Sequence, residues 1–433
     1  MRMFLRGLNW SVLVPIIIGS GTLFYGLGTT YQKLISDEDT FLLLAEFVKG
    51  LPYYPYVIFP NNLGTTHSLL VYLIRLSLDV FGYSNFALRF VPAVYGLLGI
   101  VVFFYFLKNV FNSQRIAFLG ACLLSVTHWY LAISRVAIEI SEVLFFSLLN
   151  LLLLVLFIRS KGNLKIGKFE ISKSAVYIFL TGLSFGLVQH TYQSARIYVL
   201  FYVFFFPLYW LTNRLEIRKL VIQASFFTFG LVLAVAPLVY VYFDHPESFD
   251  SRRSELVFYQ NLSPSELIWS LKESTLRTLG MFHLRGYDVS CYNVPGKPML
   301  DWVTGVLFVI GIFLSFRYLD RHMKLVFYLF FVVALVPSII SYWPASPHGL
   351  RAAGVIIPTI GFSAIALDKV TRLSGRYWVL MAALLFGLIG FFNLKAYFVD
   401  QAALQTDCFR KDINNIAEVK RKFLEENGVG LIR

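Results

Sequence analysis

Long apolar runs, separated by short segments rich in lysine and arginine, recur along the whole chain. A helix that crosses a bilayer needs roughly 17 to 25 mostly apolar residues. Eleven runs approach or meet that length, at about 9–30, 87–107, 116–133, 137–158, 174–193, 197–213, 220–243, 299–316, 325–341, 352–367 and 377–398. In lipid the backbone of each run must satisfy its own hydrogen bonds, which favours helices. The sequence therefore predicts an all-α polytopic membrane protein, a bundle of about eleven transmembrane helices. Composition agrees: only 15% of residues are charged, against about 25% in soluble domains. Disordered, collagenous and small disulfide-scaffold chains are excluded by the same values.

Orientation is read from basic residues in short loops. With a cytoplasmic N-terminus, the inside segments hold Arg2 and Arg6; Lys108 and Arg115; Arg159, Lys161, Lys165, Lys168 and Lys173; Arg214, Arg218 and Lys219; Arg317, Arg321 and Lys324; Lys369, Arg372 and Arg376. The net charge of +13 is thus spent on topology rather than on a nucleic-acid face. The first run lacks a small-residue cleavage site and reads as a retained signal anchor. Three segments then face outward, at about 31–86, 244–298 and from 399 to the end. Residues 1–398 form the expected membrane domain and 399–433 a short outer tail with a helical pattern at Ile413, Ile416, Ala417, Lys420, Phe423 and Leu424. Any chemistry falls at the outer face of a plasma or inner membrane. Cys122 lies in an apolar run, and a bridge between Cys291 and Cys408 is left open.

The first outer segment opens with Ser36-Asp37-Glu38-Asp39, followed by Phe41, Leu44, Ala45 and Val48 at helical spacing and a stop at Gly50 and Pro52. Ser36 would cap this helix, and one or two acids suit its positive end. Three acids exceed that need and offer a general base or a cation ligand. An aromatic, proline-rich stretch follows at 51–60, where Tyr53, Tyr54 and Tyr56 suit a membrane interface. His67 then precedes a second amphipathic helix that runs to about Val80.

Three further turns carry ionisable groups. One reads His128-Trp129-Tyr130, then Arg135, Glu139 and Glu142. Arg135 and Glu139 are spaced as a helical ion pair, or Arg135 holds an anionic headgroup while Glu139 faces the site. The second is Gln189-His190-Thr191-Tyr192-Gln193-Ser194-Ala195-Arg196, and the third Trp343 to Arg351 with His348. Arginine forks match phosphate oxygens, and histidine adds a hydrogen bond or a proton. The stretch Tyr292 to Asp301 reads as turn architecture, fixed by its Pro and Gly residues. No phosphate loop, dinucleotide fingerprint, zinc spacing or nucleophile elbow is present.

The series Asp37-Glu38, Phe41, Ala45, Gly50, Leu69-Leu70, Phe81-Gly82, Ala87-Leu88-Arg89-Phe90 and Gly96 resembles the N-terminal signature of the GT-C glycosyltransferase superfamily. The chain is similar there to protein O-mannosyltransferases and to bacterial lipid A aminoarabinose transferases. One segment departs: where some relatives carry Lys-Pro-Pro, this chain has Thr65-Thr66-His67-Ser68, so acceptor contacts of that loop do not transfer beyond His67 as a candidate.

The resemblance implies an inverting glycosyltransferase that takes a sugar from a polyprenyl-phosphate donor. The acceptor would be a protein, lipid or glycan, with membrane lipid around it and no nucleic acid involved. Asp37 would be the catalytic base with Glu38 as its partner. Arg135, His190, Tyr192, Arg196, His348 and Arg351 would hold the donor phosphate, and Glu139, Trp129 and His67 would face acceptor or sugar. Some relatives bind a divalent cation between acids of the first two outer loops, which here are Asp37, Asp39 and Glu139. The alternatives are a flippase for a lipid-linked saccharide, expected to show broken helices and mid-span charges, and a non-catalytic assembly partner.

Overall fold

The computed structural model describes residues 10–50, 56–58, 65–166, 169–214, 216–244, 262–341, 343–409 and 412–413. The interfacial stretch around Tyr53 and Tyr54 and the tail pattern from Ile416 to Leu424 lie outside the described residues.

The helices are α1 (Trp10–Phe24), α2 (Ser36–Phe47), α3 (Ser68–Phe81), α4 (Asn85–Phe111), α5 (Gln114–Val126), α6 (His128–Ser134), α7 (Ile140–Arg159), α8 (Lys173–Gln189), α9 (Val199–Asn213), α10 (Ile217–Asp244), α11 (Pro264–Gly280), α12 (Trp302–Tyr318), α13 (Arg321–Ile339), α14 (Ile356–Leu373), α15 (Trp378–Lys395) and the short α16 (Gln405–Cys408). Two antiparallel hairpins interrupt them. β1 (Tyr56–Ile58) pairs with β2 (Thr65–His67), and β3 (Asn163–Ile166) with β4 (Phe169–Ser172).

Among the described residues, seven helices are long and apolar enough to cross a membrane, or eight if the bent pair α5–α6 is one span. The chain is an integral membrane protein. The count of eleven is not reached by this measure, because α1, α8 and α12 have 15, 17 and 17 residues although each lies on an expected run. The α5–α6 break bends by 62°. At the break the Thr127 hydroxyl donates back to the carbonyl of Leu123, and the His128 amide donates to Asn393 Oδ1 on α15. α15 continues as helix past the expected boundary at 398, as far as Leu404.

One apolar core joins α1 to α16. Close approach of helices is bought with glycine: a Cβ on Gly182 of α8 would lie 1.9 Å from the carbonyl oxygen of Phe227 on α10. At the end of the bundle remote from Asp37, the buried Asp368 lies 2.9 Å from Arg115 and accepts from Arg372.

Candidate active site

α2 begins at Ser36. Ser36 is therefore its first residue and not its cap; the preceding residue, Ile35, donates its amide to Glu38 Oε2 at 3.3 Å. The three acids meet three fates. Glu38 is wholly buried and receives Arg89 through both oxygens, Nε to Oε1 at 2.7 Å and Nη2 to Oε2 at 2.8 Å. It also accepts from the amide of Ala137 at 3.1 Å, in the turn between α6 and α7. Asp39 is buried. Asp37 alone of the three is exposed, and its Oδ2 accepts from the hydroxyl of Tyr292 at 3.0 Å. Glu38 thus anchors the start of α2 to α4, with both of its oxygens occupied by donors.

Tyr292 starts a ring stack. Its ring lies 6.2 Å from Tyr287, nearly parallel, and Tyr287 lies 4.7 Å from the imidazole of His348. The Tyr287 hydroxyl is 3.4 Å from His348 Nε2. The turn after α13 is fixed by the His348 amide, which donates to Ser338 Oγ, and by the Arg351 amide, which donates to His348 Nδ1. Arg351 Nη1 donates to Ser341 Oγ at 3.0 Å. Burial pushes the hydroxyls of both Tyr287 and Tyr292 above the usual phenol range. Tyr192 and Asp37 push Tyr287 the same way and Arg351 opposes them. Asp37, Tyr192, Tyr287, Tyr292, His348 and Arg351 therefore share one electrostatic neighbourhood, in which both phenols stay O–H donors.

Several other expected residues make contacts elsewhere. Arg135 is buried and donates to the carbonyls of Leu23 and Tyr25, at 3.0 and 2.8 Å, to that of Thr22, and to the Tyr397 hydroxyl. Its guanidinium lies over the rings of Tyr397 and Phe398. It closes the C-terminal end of α1, where carbonyls lack helical partners, so it is not a phosphate ligand. Trp129 is buried, and its indole N–H donates to the carbonyl of Gly349 at 3.2 Å. It supports the turn that carries His348. His190 Nε2 donates to the Ala234 carbonyl at 2.6 Å, and Arg196 donates to the Tyr242 hydroxyl with its guanidinium 5.2 Å from that ring. Both thus face α10. Glu139 is the residue before α7. His67 ends β2 opposite Tyr56, and its side chain lies outside the described residues. Among the described residues no three His, Cys, Asp or Glu side chains are grouped to hold a metal ion. The trio Asp37, Asp39 and Glu139 is not gathered into such a group.

Sequence reasoning passed over Tyr287 and Tyr292, although Tyr292 stands in the stretch read as architecture. The available signal was a tyrosine beside Cys291, one of two cysteines in segments expected to face outward. That cysteine forms a disulfide with Cys408, with a Cα–Cα separation of 5.5 Å.

The profile of the dolichyl-phosphate-mannose-protein mannosyltransferase family matches residues 67–240, less than half of the chain. ArnT from Cupriavidus metallidurans in the apo state superposes with a TM-score of 0.58 at 12% identity, covering 96% of this chain and 77% of that one. The oligosaccharyltransferase of Archaeoglobus fulgidus, tethered to an acceptor peptide, gives a TM-score of 0.54 at 14% identity over 92% of this chain and 55% of that one. The fold is GT-C. This chain spans about half the length of the oligosaccharyltransferase. ArnT bound to undecaprenyl phosphate also matches, with a TM-score of 0.56 at 12% identity over 96% of this chain and 78% of that one. A search of curated proteins finds no significant match. Within this GT-C fold the family match begins at the end of β2 and ends in α10. It includes Arg89, Arg135, His190 and Arg196, and it excludes both Asp37 and the stack from Tyr287 to Arg351.

Proposed function

We propose that the chain is an inverting glycosyltransferase that moves a sugar from a polyprenyl-phosphate donor to an acceptor hydroxyl or amine at the outer face of the membrane. The observation that carries this reading is the exposed Asp37 carboxylate, hydrogen-bonded to Tyr292 and sharing a neighbourhood with His348 and Arg351. The acceptor heteroatom attacks the anomeric carbon on the face opposite the phosphate. The bond from that carbon to the phosphate oxygen breaks, and the polyprenyl phosphate leaves with the electron pair. The acceptor proton passes to Asp37. Arg351, with Tyr192, Tyr287 and His348, stabilises the charge that grows on the leaving phosphate. Glu38 and Arg135 hold the scaffold. An apolar groove of about 760 Å³ between α1 and α15, lined in part by Ile17, Ile18, Phe391 and Leu394, offers room for an isoprenoid chain. Support comes from the mannosyltransferase profile and from the relative solved with undecaprenyl phosphate. The run of basic segments on the other side of the membrane supports an outward-facing site with a cytoplasmic N-terminus.

The test supplies the purified protein in nanodiscs with a panel of labelled polyprenyl-phosphate sugars and native membrane extract. Wild type transfers label from one of them, and Asp37→Asn loses about 10²- to 10⁴-fold in rate. An Asp37→Asn variant as fast as wild type removes Asp37 from the mechanism. A wild-type protein that carries a lipid-linked saccharide across the bilayer without cleaving it makes the chain a transporter.

A further inference from the structure

The loop at 281–301 folds on its own bonds. The Asn293 side chain donates to the carbonyls of Tyr287 and Lys297, the Gly286 amide to Lys297, and the Met299 amide to Met281. None of these sets where the loop sits against α2. Beside the Tyr287–His348 stack and the bond from Asn393 of α15 to Asp301, the segment that follows α15 contributes to that placement. Cys408 is bonded to Cys291, the residue before Tyr292. Gln401 is buried and donates Nε2 to the Cys291 carbonyl at 2.7 Å, while its Oε1 lies 2.7 Å from His128 Nε2. Asp400 accepts from Lys297 of the same loop at 2.6 Å.

The same segment also reaches the other side of the acidic helix start. Phe409, next to Cys408, stacks on Tyr31 with ring centroids 4.4 Å apart. The Arg89 guanidinium that grips Glu38 lies 5.7 Å from the Phe409 ring. Residues 400–409 therefore bind the support of Glu38 on one side and the donor to Asp37 on the other. A carboxylate on an exposed first turn rotates freely; a single fixed donor on Oδ2 holds it and leaves Oδ1 to take a proton.

We propose that Tyr292 is a positioning residue for Asp37, and that the segment 400–409, through the Cys291–Cys408 bridge and Gln401, holds Tyr292 in place together with its stack on Tyr287. This rests on Asp37 as the base. The test uses the full chain in nanodiscs, with Tyr292→Phe, the double change Cys291→Ser/Cys408→Ser, and all three together. Tyr292→Phe and the double serine variant each lower kcat about ten- to a hundredfold, with the donor KM within about twofold of wild type. The triple variant is no slower than Tyr292→Phe, because both changes remove the same constraint. A second readout needs no activity: 3-fluorotyrosine at position 292 gives a fluorine resonance that moves on Asp37→Asn and again on reducing the bridge.

Wild-type kcat in Tyr292→Phe, multiplying losses in the triple variant, or a resonance indifferent to both changes overturns the proposal. Tyr292→Phe at full rate beside an inactive Asp37→Asn overturns positioning alone. An active Asp37→Asn overturns the base itself, and positioning with it. If the double serine variant does not fold, or no donor supports transfer, the fluorine resonance decides.

Discussion

Arg89 of α4 holds Glu38 of α2 by two parallel hydrogen bonds across 51 residues of sequence, and neither side chain reaches solvent. Arg89 also donates to the carbonyls of Tyr31 at 2.7 Å and Lys33 at 2.9 Å, so the linker before α2 is tied to the same guanidinium. Removing one partner of such a pair strands a buried charge, at a cost of about 3–5 kcal/mol. Glu38→Gln is therefore expected to lower the unfolding midpoint in detergent strongly, while Asp37→Asn, at an exposed carboxylate, leaves it nearly unchanged. Equal midpoints for the two variants, followed by intrinsic fluorescence, contradict the assignment of Glu38 to structure.

Arg351 and Arg135 separate by the same logic. Arg135 spends its donors on the α1 carbonyls and Tyr397. Arg351 is half-buried beside Tyr287 and His348. Arg351→Ala is expected to slow transfer about 10²- to 10³-fold, the loss typical of one preorganised donor at a developing anion. Its unfolding midpoint stays near that of wild type. Arg135→Ala is expected to lower the midpoint while the donor KM of the folded fraction stays constant. The reverse pattern, measured by melting and by donor titration, restores Arg135 to the phosphate site.

Much of the fold is legible because lipid leaves few options: an apolar run must be helical, and its basic flanks set direction. Asp37 is legible for a local reason, since an acidic triplet at a helix start stands out against apolar surroundings. Tyr292 is not, because its contact with Asp37 joins residues 255 positions apart and leaves no periodic trace. Arg135 misleads for a related reason. An arginine in a turn between apolar runs looks the same whether it meets a phosphate or the end of α1, more than a hundred residues upstream. Three expected runs carry the shorter apolar helices α1, α8 and α12, of 15, 17 and 17 residues, so length and composition alone count seven or eight spans among the described residues.

Topology has a direct chemical test. Ser36 is exposed at the start of α2, and Arg218 is exposed near the start of α10. Single cysteines at these positions, in a chain whose Cys122 is buried, are expected to label from opposite sides. In sealed cells an impermeant maleimide reaches Ser36→Cys and spares Arg218→Cys; inverted vesicles exchange the two. Labelling of both from one side overturns the outward placement of Asp37.

The α8–α10 contact sets how far apart His190 and Ala234 lie, and it depends on two glycines. A Cβ on Gly230 would come within 2.2 Å of the Phe179 carbonyl oxygen, and one on Gly182 within 1.9 Å of that of Phe227. Both clashes are with backbone, so no side-chain rotation relieves them, and the helices must part. Overpacking of this kind costs about 1–3 kcal/mol. Gly230→Ala is therefore expected to lower the unfolding midpoint, and Gly230→Leu to lower it further. Gly387 on α15 has no neighbour within 4 Å of such a Cβ, so Gly387→Ala leaves the midpoint unchanged or slightly raised by helix propensity. Equal effects of alanine at 230 and 387 contradict the close crossing of α8 and α10.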